Sequence, residues 1–142
     1  MKKCSDVMTE EVVYSSPGDV VSHVAQLMKT EDIGPVLIVD NEESKKLIGI
    51  VTDRDLALKV VAEGRDPNTT TVEEVMSRKL ITCRADDEVE SALKAMAQYQ
   101  LRRIPVVDDN MTLVGIISQA DVATRVGEPE KTAEVVKEIS EP

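Results

Sequence analysis

Two stretches of the sequence share one layout and decide the fold: GIVTDRDLAL, residues 49–58, and GIISQADVAT, residues 115–124. Each begins with Gly and two β-branched residues, continues with a hydroxyl residue, two variable residues and Asp, and ends in a helix-like apolar pattern. This order predicts a strand that leads directly into the first turn of a helix. Polar side chains are therefore concentrated at two equivalent strand-to-helix junctions.

The two junctions belong to an internal repeat that spans nearly the whole chain. Residue pairs that match at one constant offset include Met8 with Met76, Asp19 with Asp87, and Asp40 with Asp108. The offset shortens by about two residues within the polar turn NEESKK, after which Gly49 matches Gly115. Matches on both sides of a turn insertion indicate a duplication. We assign repeat 1 to residues 1–66, repeat 2 to residues 67–127, and a partly helical tail to residues 128–142.

Each repeat is predicted to contain the same five elements. A short β-branched run comes first, an amphipathic helix follows, and two strands around a polar turn lead to a second helix. The first helices come after SPGD, residues 16–19, and RADD, residues 84–87, which we expect to supply their caps. The predicted fold class is α+β, with two β-α-β-β-α repeats packed as one pseudo-twofold module.

Composition narrows the possible functions. The chain of 142 residues has no Phe, no Trp and two Tyr, so its core must be aliphatic and Met-rich. A net charge of −10 argues against a nucleic-acid surface, and the lack of aromatic residues argues against stacking on single strands. No apolar run is long enough to span a membrane, and no signal peptide follows the first residues. We expect a soluble, cytoplasmic protein with no membrane partner.

Residues suited to catalysis or metal binding are few. His23 is the only histidine, and Cys4 and Cys83 fit neither a zinc spacing nor a disulfide framework. We therefore expect a reducing environment and no disulfide. No phosphate-binding glycine motif occurs, and nothing assembles an acid and a base around a reacting centre. We expect neither an enzyme nor a metal site.

The junction residues suit either a ligand or a helix cap. The hydroxyl of Thr52 or Ser118 can cap the helix or donate to a phosphate, and the carboxylate of Asp55 or Asp121 can accept ribose hydroxyls. The same Thr-x-x-Asp and Ser-x-x-Asp spacing is close to a capping box, which needs no ligand. Arg54 has Ala as its counterpart in repeat 2, and from the residues alone it fits a solvated pair with a nearby Glu.

The repeated motifs resemble the cystathionine-β-synthase (CBS) domain pair, also called a Bateman module. The resemblance covers residues 6–126 and rests on the Val-Met-Thr and Val-Met-Ser openings, on IPVVD, and on the closing Gly-apolar-apolar-Thr/Ser-x-x-Asp. It implies a non-catalytic module without a cofactor that binds an adenine nucleotide (AMP, ADP or ATP) and regulates a partner protein. It also implies that each ligand site takes residues from both repeats.

The resemblance assigns residues to two sites. Site one would contain Ile50, Thr52, Arg54, Asp55, Lys79, Ile81 and Leu101. Site two would contain Ile116, Ser118, Asp121, Glu11, Val13 and Ile33. In this scheme the aliphatic residues sandwich the base, Asp55 and Asp121 bind ribose, and Arg54 reaches a phosphate. Because site two has an acidic residue where site one has Lys79, we expect site one to bind the charged ligand.

Arg102 and Arg103 form a second basic pair. In the gamma subunit of AMP-activated protein kinase, basic residues at these positions meet phosphate groups, and the resemblance implies the same role here. The alternative is that the two arginines neutralise local Asp and Glu. Anion sites favour Arg because its guanidinium offers forked donors.

Two further expectations concern function and assembly. The alternative to ligand sensing is a CBS-pair scaffold with degenerate sites that serves dimerisation or docking. We expect a homodimer through the second helices, on apolar residues such as Leu56, Val60, Val122 and Val126. Because Asp55, Asp121 and Arg54 are expected to face a solvent cleft, their replacement should change stability little.

Overall fold

The computed structural model describes residues 2–125, which fall into two compact units. The first-repeat unit is Val13–Leu80, and the second-repeat unit combines Met1–Val12 with Ile81–Pro142. The two boundaries are equivalent positions of the repeat, so the opening segment of each repeat belongs to the unit of the other. The predicted helical tail, residues 128–142, lies outside the described residues.

The predicted strands and helices occur in the predicted order, and a short helix near the start and two tight helical turns are additional. A π-helical turn, Ala57–Val61, continues the third helix, and a 3-10 turn covers Val72–Glu74. In chain order the helices and strands are α1 (Cys4–Val7), β1 (Tyr14–Ser15), α2 (Val21–Glu31), β2 (Val36–Val39), β3 (Leu47–Val51), α3 (Asp53–Leu56), β4 (Cys83–Arg84), α4 (Val89–Gln98), β5 (Arg103–Val107), β6 (Leu113–Ser118) and α5 (Gln119–Arg125).

Each unit has one three-stranded sheet with the same topology. In the first-repeat unit β2 is central, parallel to β1 and antiparallel to β3. In the second-repeat unit β5 is central, parallel to β4 and antiparallel to β6. The mixed α+β class and the two β-α-β-β-α repeats are confirmed. The short helix α1 was not predicted.

Aliphatic residues and methionines fill both cores, as the composition required. The first-repeat core contains Val21, Val24, Val36, Ile38, Val51, Val60, Val72, Val75 and Met76. The second-repeat core contains Cys4, Val7, Cys83, Val89, Ala92, Leu93, Met96, Ile104, Val106, Ile117 and Val122.

The repeated Met and Gly of the motifs contact each other within each unit. A side chain at Gly49 would lie 2.9 Å from the Met76 sulfur, and one at Gly115 would also meet a methionine sulfur, that of Met8. Glycine is therefore required where the opening segment crosses the third strand of each unit. This packing explains why the two motifs recur together in the sequence.

The expected caps of the first helices are not formed. Val20 and Glu88 stand at the helix starts, and neither makes a side-chain cap hydrogen bond. Asp19 instead accepts hydrogen bonds from Ser15 and Ser16, and Asp87 accepts one from the Arg84 amide at 2.9 Å. Each helix begins too late for these carboxylates to reach its free amides, so they close the preceding turns.

The apolar residues assigned to a dimer surface are largely internal. Val60 and Val122 are buried, so the prediction was wrong for these two residues. Leu56 packs against the first-repeat core but is only half-buried, so for this residue the dimer contact stays a prediction. Val126 lies outside the described residues. The Ala62 amide bonds to the Ala57 carbonyl at 2.9 Å, and this wider π-helical turn changes which residues face outward.

Cys4 and Cys83 both lie in the core of the second-repeat unit. Both are buried, and the Cys4 thiol donates to the Glu88 carbonyl at 3.9 Å while the Cys83 thiol donates to the Pro105 carbonyl at 3.8 Å. None of the helices in residues 2–125 is long and apolar enough to cross a lipid bilayer.

Candidate functional site

The junction of the first-repeat unit forms a capping box. Thr52 stands before α3 in an extended conformation, and its hydroxyl accepts a hydrogen bond from the Asp55 amide at 3.2 Å. The Thr52 amide and hydroxyl donate in return to Asp55 Oδ2, at 2.9 and 3.1 Å. Asp55 Oδ2, the inner oxygen of the carboxylate, therefore accepts the hydrogen bonds that close the turn.

Asp55 Oδ1, the outer oxygen of the carboxylate, lies next to a lysine that was not predicted as a site residue. Lys59 Nζ lies 3.2 Å from Asp55 Oδ1 and also donates to the Val75 carbonyl at 2.9 Å. The Lys59 side chain is 45% exposed and that of Asp55 is 18% exposed, so the pair lies at the edge of solvent. The sequence signal was available, because an Asp and a Lys four residues apart pair on one helix face.

The junction of the second-repeat unit has the same box but a different outer partner. The Ser118 amide and hydroxyl donate to Asp121 Oδ2 at 2.9 and 3.0 Å, and the Asp121 amide donates to Ser118 Oγ at 3.3 Å. Asp121 Oδ1 accepts a hydrogen bond from the Thr9 hydroxyl at 3.1 Å. Asp121 is only 8% exposed, so its carboxylate is more enclosed than that of Asp55. Thr9 had no local signal in the sequence.

The opening segments reach both junctions through their backbones. Ile50 and Ser77 exchange two amide-to-carbonyl hydrogen bonds of 2.9 Å, and Thr9 and Ile116 exchange an equivalent pair of 2.9 Å. Each opening segment therefore lies beside the strand residue two positions before the junction hydroxyl. The Lys79 amide donates to Ser77 Oγ at 3.3 Å, and its side chain is exposed.

The predicted site residues are distributed over both units. The first-repeat unit holds Ile50, Thr52, Arg54, Asp55 and Lys79 of site one, with Val13 and Ile33 of site two. The second-repeat unit holds Ile116, Ser118, Asp121 and Glu11 of site two, with Ile81, Leu101, Arg102 and Arg103. All the aliphatic members are half-buried: Ile50, Ile81, Leu101, Ile116, Val13 and Ile33. Half-buried aliphatic side chains keep part of their surface available to a ligand.

The three arginines predicted to contact phosphate are exposed. Arg54, Arg102 and Arg103 are all at the surface, and within residues 2–125 none of them forms an ion pair. The proposed pairing of Arg54 with a nearby Glu is therefore absent from the described part of the chain. These guanidinium groups keep their donors available for an anion.

A separate cavity of about 320 Å³ opens in the first-repeat unit. Its lining residues are Tyr14, Ser15, Ser16, Asp19, His23, Val39 and Glu42. None of the residues predicted for the ligand sites lines it. Across residues 2–125, no group of three or more His, Cys, Asp or Glu side chains is arranged to hold a metal ion.

The profile of the CBS domain matches residues 4–62 and again residues 72–128. The chain belongs to the CBS domain family. It is 39% identical over 140 residues to the CBS domain-containing protein YhcV of Bacillus subtilis, covering 99% of this chain and 96% of that protein. It also matches a longer protein of Methanopyrus kandleri, of whose length it spans 59%.

Two solved structures show what similar CBS proteins hold. The crystal structure of Hypoxic Response Protein I contains two coordinated zinc ions and is 33% identical with a TM-score of 0.74, covering 86% of this chain and 97% of that one. The CBS domain pair of protein MJ0100 was crystallised with 5-methylthioadenosine and S-adenosyl-L-methionine. It is 29% identical with a TM-score of 0.70, covering 89% of this chain and 96% of that one.

Proposed function

We propose that this CBS pair is a non-catalytic regulatory module that binds an adenine nucleotide, AMP, ADP or ATP, and alters the activity of a partner protein. The observation that carries the proposal is the cluster at the first-repeat junction. There, within residues 2–125, the outer oxygen of Asp55 has a half-exposed lysine as its partner, and Arg54, two residues after Thr52, is exposed and forms no ion pair. The cluster offers an acceptor for a sugar and a donor for a phosphate.

The apolar surroundings support a nucleoside. Ile50 lies two residues before Thr52 and is half-buried. Its backbone is hydrogen-bonded to Ser77. Ligand sites typically combine apolar walls with a few polar groups that fix orientation. The adenosine-containing ligands of the MJ0100 CBS pair support the same ligand class for this chain.

The two junctions differ in how accessible their carboxylates are, and this difference supports one preferred site. The first-repeat junction has Asp55 at the edge of solvent, with Arg54, Lys59 and Lys79 in the same unit. The second-repeat junction has two exposed arginines beside it, because the Gln119 amide donates to the Arg102 carbonyl at 3.1 Å and Arg103 pairs with Ser118. Its carboxylate, however, is the buried Asp121, which is already bonded to Thr9. We therefore assign the charged nucleotide to the junction of Asp55. Arg102 and Arg103 remain predicted phosphate contacts.

A scaffold is the second candidate, and one observation favours it. Asp55 and Asp121 both complete capping boxes, so the motif has a structural role without any ligand. In that case the module would act only through dimerisation or docking.

A thermal-shift series separates the two functions. The purified chain is heated with AMP, ADP, ATP, S-adenosylmethionine, methylthioadenosine or NAD, each at increasing concentration. A ligand at 100 times its dissociation constant stabilises the folded state by about 2.7 kcal/mol, which gives a clear rise in melting temperature. A rise with AMP, ADP or ATP supports the proposal. No rise with any of the six ligands favours the scaffold.

We further propose that the module is a homodimer. Leu58 is 50% exposed and Val61 is 77% exposed, and both belong to the π-helical turn of the first-repeat unit. Large apolar side chains at neighbouring surface positions favour burial against a partner. The partner that fits is a second copy of this chain, because the same surface on each copy gives a self-complementary contact. A cytoplasmic location also remains a prediction.

A further inference from the structure

The cavity of the first-repeat unit lies at the end of the sheet that is remote from the Thr52 junction. Strand β1 ends at Ser15 and the parallel strand β2 ends at Val39, and both residues line the cavity. Thr52 follows the opposite end of the sheet, because Val51 pairs with Val36 at the start of β2. The volume of about 320 Å³ is enough for a small ligand. The cavity is therefore a second place for a ligand, separate from the proposed nucleotide site.

Asp19 presents one oxygen to this cavity that the protein does not use. The Ser15 hydroxyl and both the amide and the hydroxyl of Ser16 donate to Asp19 Oδ2, the amide at 2.9 Å. Within residues 2–125, Asp19 Oδ1 accepts no hydrogen bond. Burial acts to raise the pKa of Asp19, but the serine hydrogen bonds outweigh it and lower the pKa, so the carboxylate is ionised at neutral pH. Asp19 is therefore a fixed anion with one free acceptor.

The other lining residues also favour a positively charged ligand. Glu42 adds an exposed carboxylate from the turn after β2. The Tyr14 ring already attracts one cation, because the Lys45 ammonium lies 5.6 Å from its centroid. His23 is the basic side chain of the lining, which contains no lysine or arginine among the described residues. Two carboxylates and an aromatic face are thus available to a cation from solution.

The second repeat has its own cation at the equivalent corner. Ser16 and Asp19 are equivalent to Arg84 and Asp87, and the Arg84 amide donates to Asp87 Oδ2 at 2.9 Å as the Ser16 amide does to Asp19 Oδ2. The Arg84 guanidinium forms an ion pair with Asp109, in the turn after β5. The duplicated corner therefore has a built-in guanidinium in the second-repeat unit and a serine in its place in the first.

We propose that the cavity of the first-repeat unit binds a small alkylguanidinium compound, whose guanidinium takes the place that Arg84 has in the second-repeat unit. Its N–H groups donate to Asp19 Oδ1 and to the Glu42 carboxylate, and its plane lies against the Tyr14 ring. A guanidinium suits this set better than an ammonium, because it is planar and offers forked donors to carboxylates. The binding is non-covalent and does not depend on a nucleotide at the Asp55 junction.

The experiment titrates the isotope-labelled full chain with propylguanidinium at constant ionic strength and follows the backbone amides by NMR. Propylurea, a neutral compound of nearly the same shape, and propylammonium, a cation without the planar fork, are the comparison probes. Propylguanidinium should cause saturable shifts within residues 14–23 and 39–42, which contain the lining of the cavity. The affinity for propylurea should be at least roughly 10-fold lower, because it lacks the charge that the carboxylates bind.

Two substitutions with matched controls test the assigned contacts. Glu42→Gln should weaken propylguanidinium binding by roughly 10-fold, because it removes one charged acceptor. Glu43→Gln removes the neighbouring exposed carboxylate, which does not line the cavity, and should bind as wild type does. Ser16→Arg introduces the arginine of the second repeat and should abolish saturable binding. Gln26→Arg adds the same charge at an exposed position of α2 and should retain it.

The Glu42 and Glu43 pair decides even if Ser16→Arg fails to fold. Glu42 is an exposed turn residue whose side chain makes no hydrogen bond within residues 2–125, so its substitution leaves the fold intact. The proposal is overturned if propylguanidinium causes no saturable shifts at the cavity, or if propylurea or propylammonium binds as tightly. It is also overturned if Glu42→Gln and Glu43→Gln bind propylguanidinium equally well, or if a folded Ser16→Arg binds it as wild type does.

Discussion

The Lys59 ammonium lies 3.2 Å from the outer oxygen of Asp55, whereas the equivalent oxygen of Asp121 accepts a hydrogen bond from the Thr9 hydroxyl at 3.1 Å. The inner oxygens of both carboxylates make the same capping box. The duplication thus preserved the turn and changed the group that holds the exposed side of the carboxylate. An ion pair at the protein surface is weak, so the carboxylate of Asp55 is the easier one for a ribose to take.

Lys59→Met should strengthen the binding of adenosine. Removing the lysine frees the outer oxygen of Asp55, and exposed ion pairs contribute about 0.2–1 kcal/mol. The dissociation constant should therefore fall by roughly 1.4- to 5-fold. Titration calorimetry with adenosine measures the change, and Lys29→Met, an exposed lysine of α2, is the matched control. Weaker binding by Lys59→Met alone would show that Lys59 contacts the ligand instead.

Asp121→Ala should destabilise the unliganded protein more than Asp55→Ala does. Asp121 is buried and accepts hydrogen bonds from Ser118 and Thr9, and hydrogen bonds to a charged group contribute about 1.5–3 kcal/mol. Asp55 is nearer to solvent, so its loss should cost about 1 kcal/mol, as for a typical cap. Urea unfolding measures both changes. Equal losses would mean that the difference in burial has no energetic effect.

The burial of Asp121 corrects the sequence-based expectation that this carboxylate faces a solvent cleft. The cap itself was visible in the sequence, because Thr-x-x-Asp and Ser-x-x-Asp are local patterns. The partner of Asp121 was not visible, because Thr9 is 112 positions away in the chain. Long-range contacts of this kind depend on how the opening segments cross between repeats.

Arg54→Ala should weaken AMP binding and leave adenosine binding unchanged. Only AMP has a phosphate for the guanidinium to contact, and a partly solvated charged hydrogen bond contributes about 1.5 kcal/mol, or roughly 10-fold in affinity. Calorimetry with both ligands measures the two constants. Arg78→Ala removes an exposed arginine of the same unit whose nearest carboxylate is 3.9 Å away, and it should change neither constant. Equal weakening of AMP and adenosine by Arg54→Ala would exclude a phosphate contact.

Asp19→Asn should reduce stability at neutral pH but not in strong acid. Burial acts to raise the pKa of Asp19, but hydrogen bonds from Ser15 and Ser16 outweigh it and lower the pKa below its ordinary value of 3.8. A carboxyl whose pKa is lower in the folded state stabilises the protein above its unfolded pKa and loses that effect as the pH falls through the folded value. The difference in unfolding free energy between wild type and variant should therefore be constant above about pH 5 and shrink below pH 4.

Urea unfolding at a series of pH values measures this difference for Asp19→Asn. Glu63→Gln, which removes one exposed carboxylate from the same unit, is the control for the change in net charge. If the difference in unfolding free energy between wild type and Asp19→Asn stays the same down to about pH 2, the substitution disrupts contacts that do not depend on the ionised carboxylate.

Much of the fold followed from local pattern, and the errors have a common physical cause. The alternation of Leu47–Val51 and the helical period of Val89–Gln98 are properties of short segments, and the structure has these elements. The π-helical turn at Ala57–Val61 has no such signature, since its wider hydrogen bonding is set by packing. Leu58 and Val61, both within this turn, are exposed at 50% and 77%.

Replacing Leu58 and Val61 together by Glu should convert a dimer into a monomer. Both side chains are exposed, at 50% and 77%, so the change should leave the fold of the single chain intact while it places charge in the proposed contact. Two buried charges without partners oppose association strongly, and we expect at least a roughly 10-fold weaker dimer. Light scattering should give twice 15.6 kDa for wild type and 15.6 kDa for the double variant. Tyr99→Glu changes an equally exposed residue of the second-repeat unit and should remain dimeric. A wild-type mass of one chain at micromolar concentration, or a double variant that stays dimeric, would contradict the assignment of this surface.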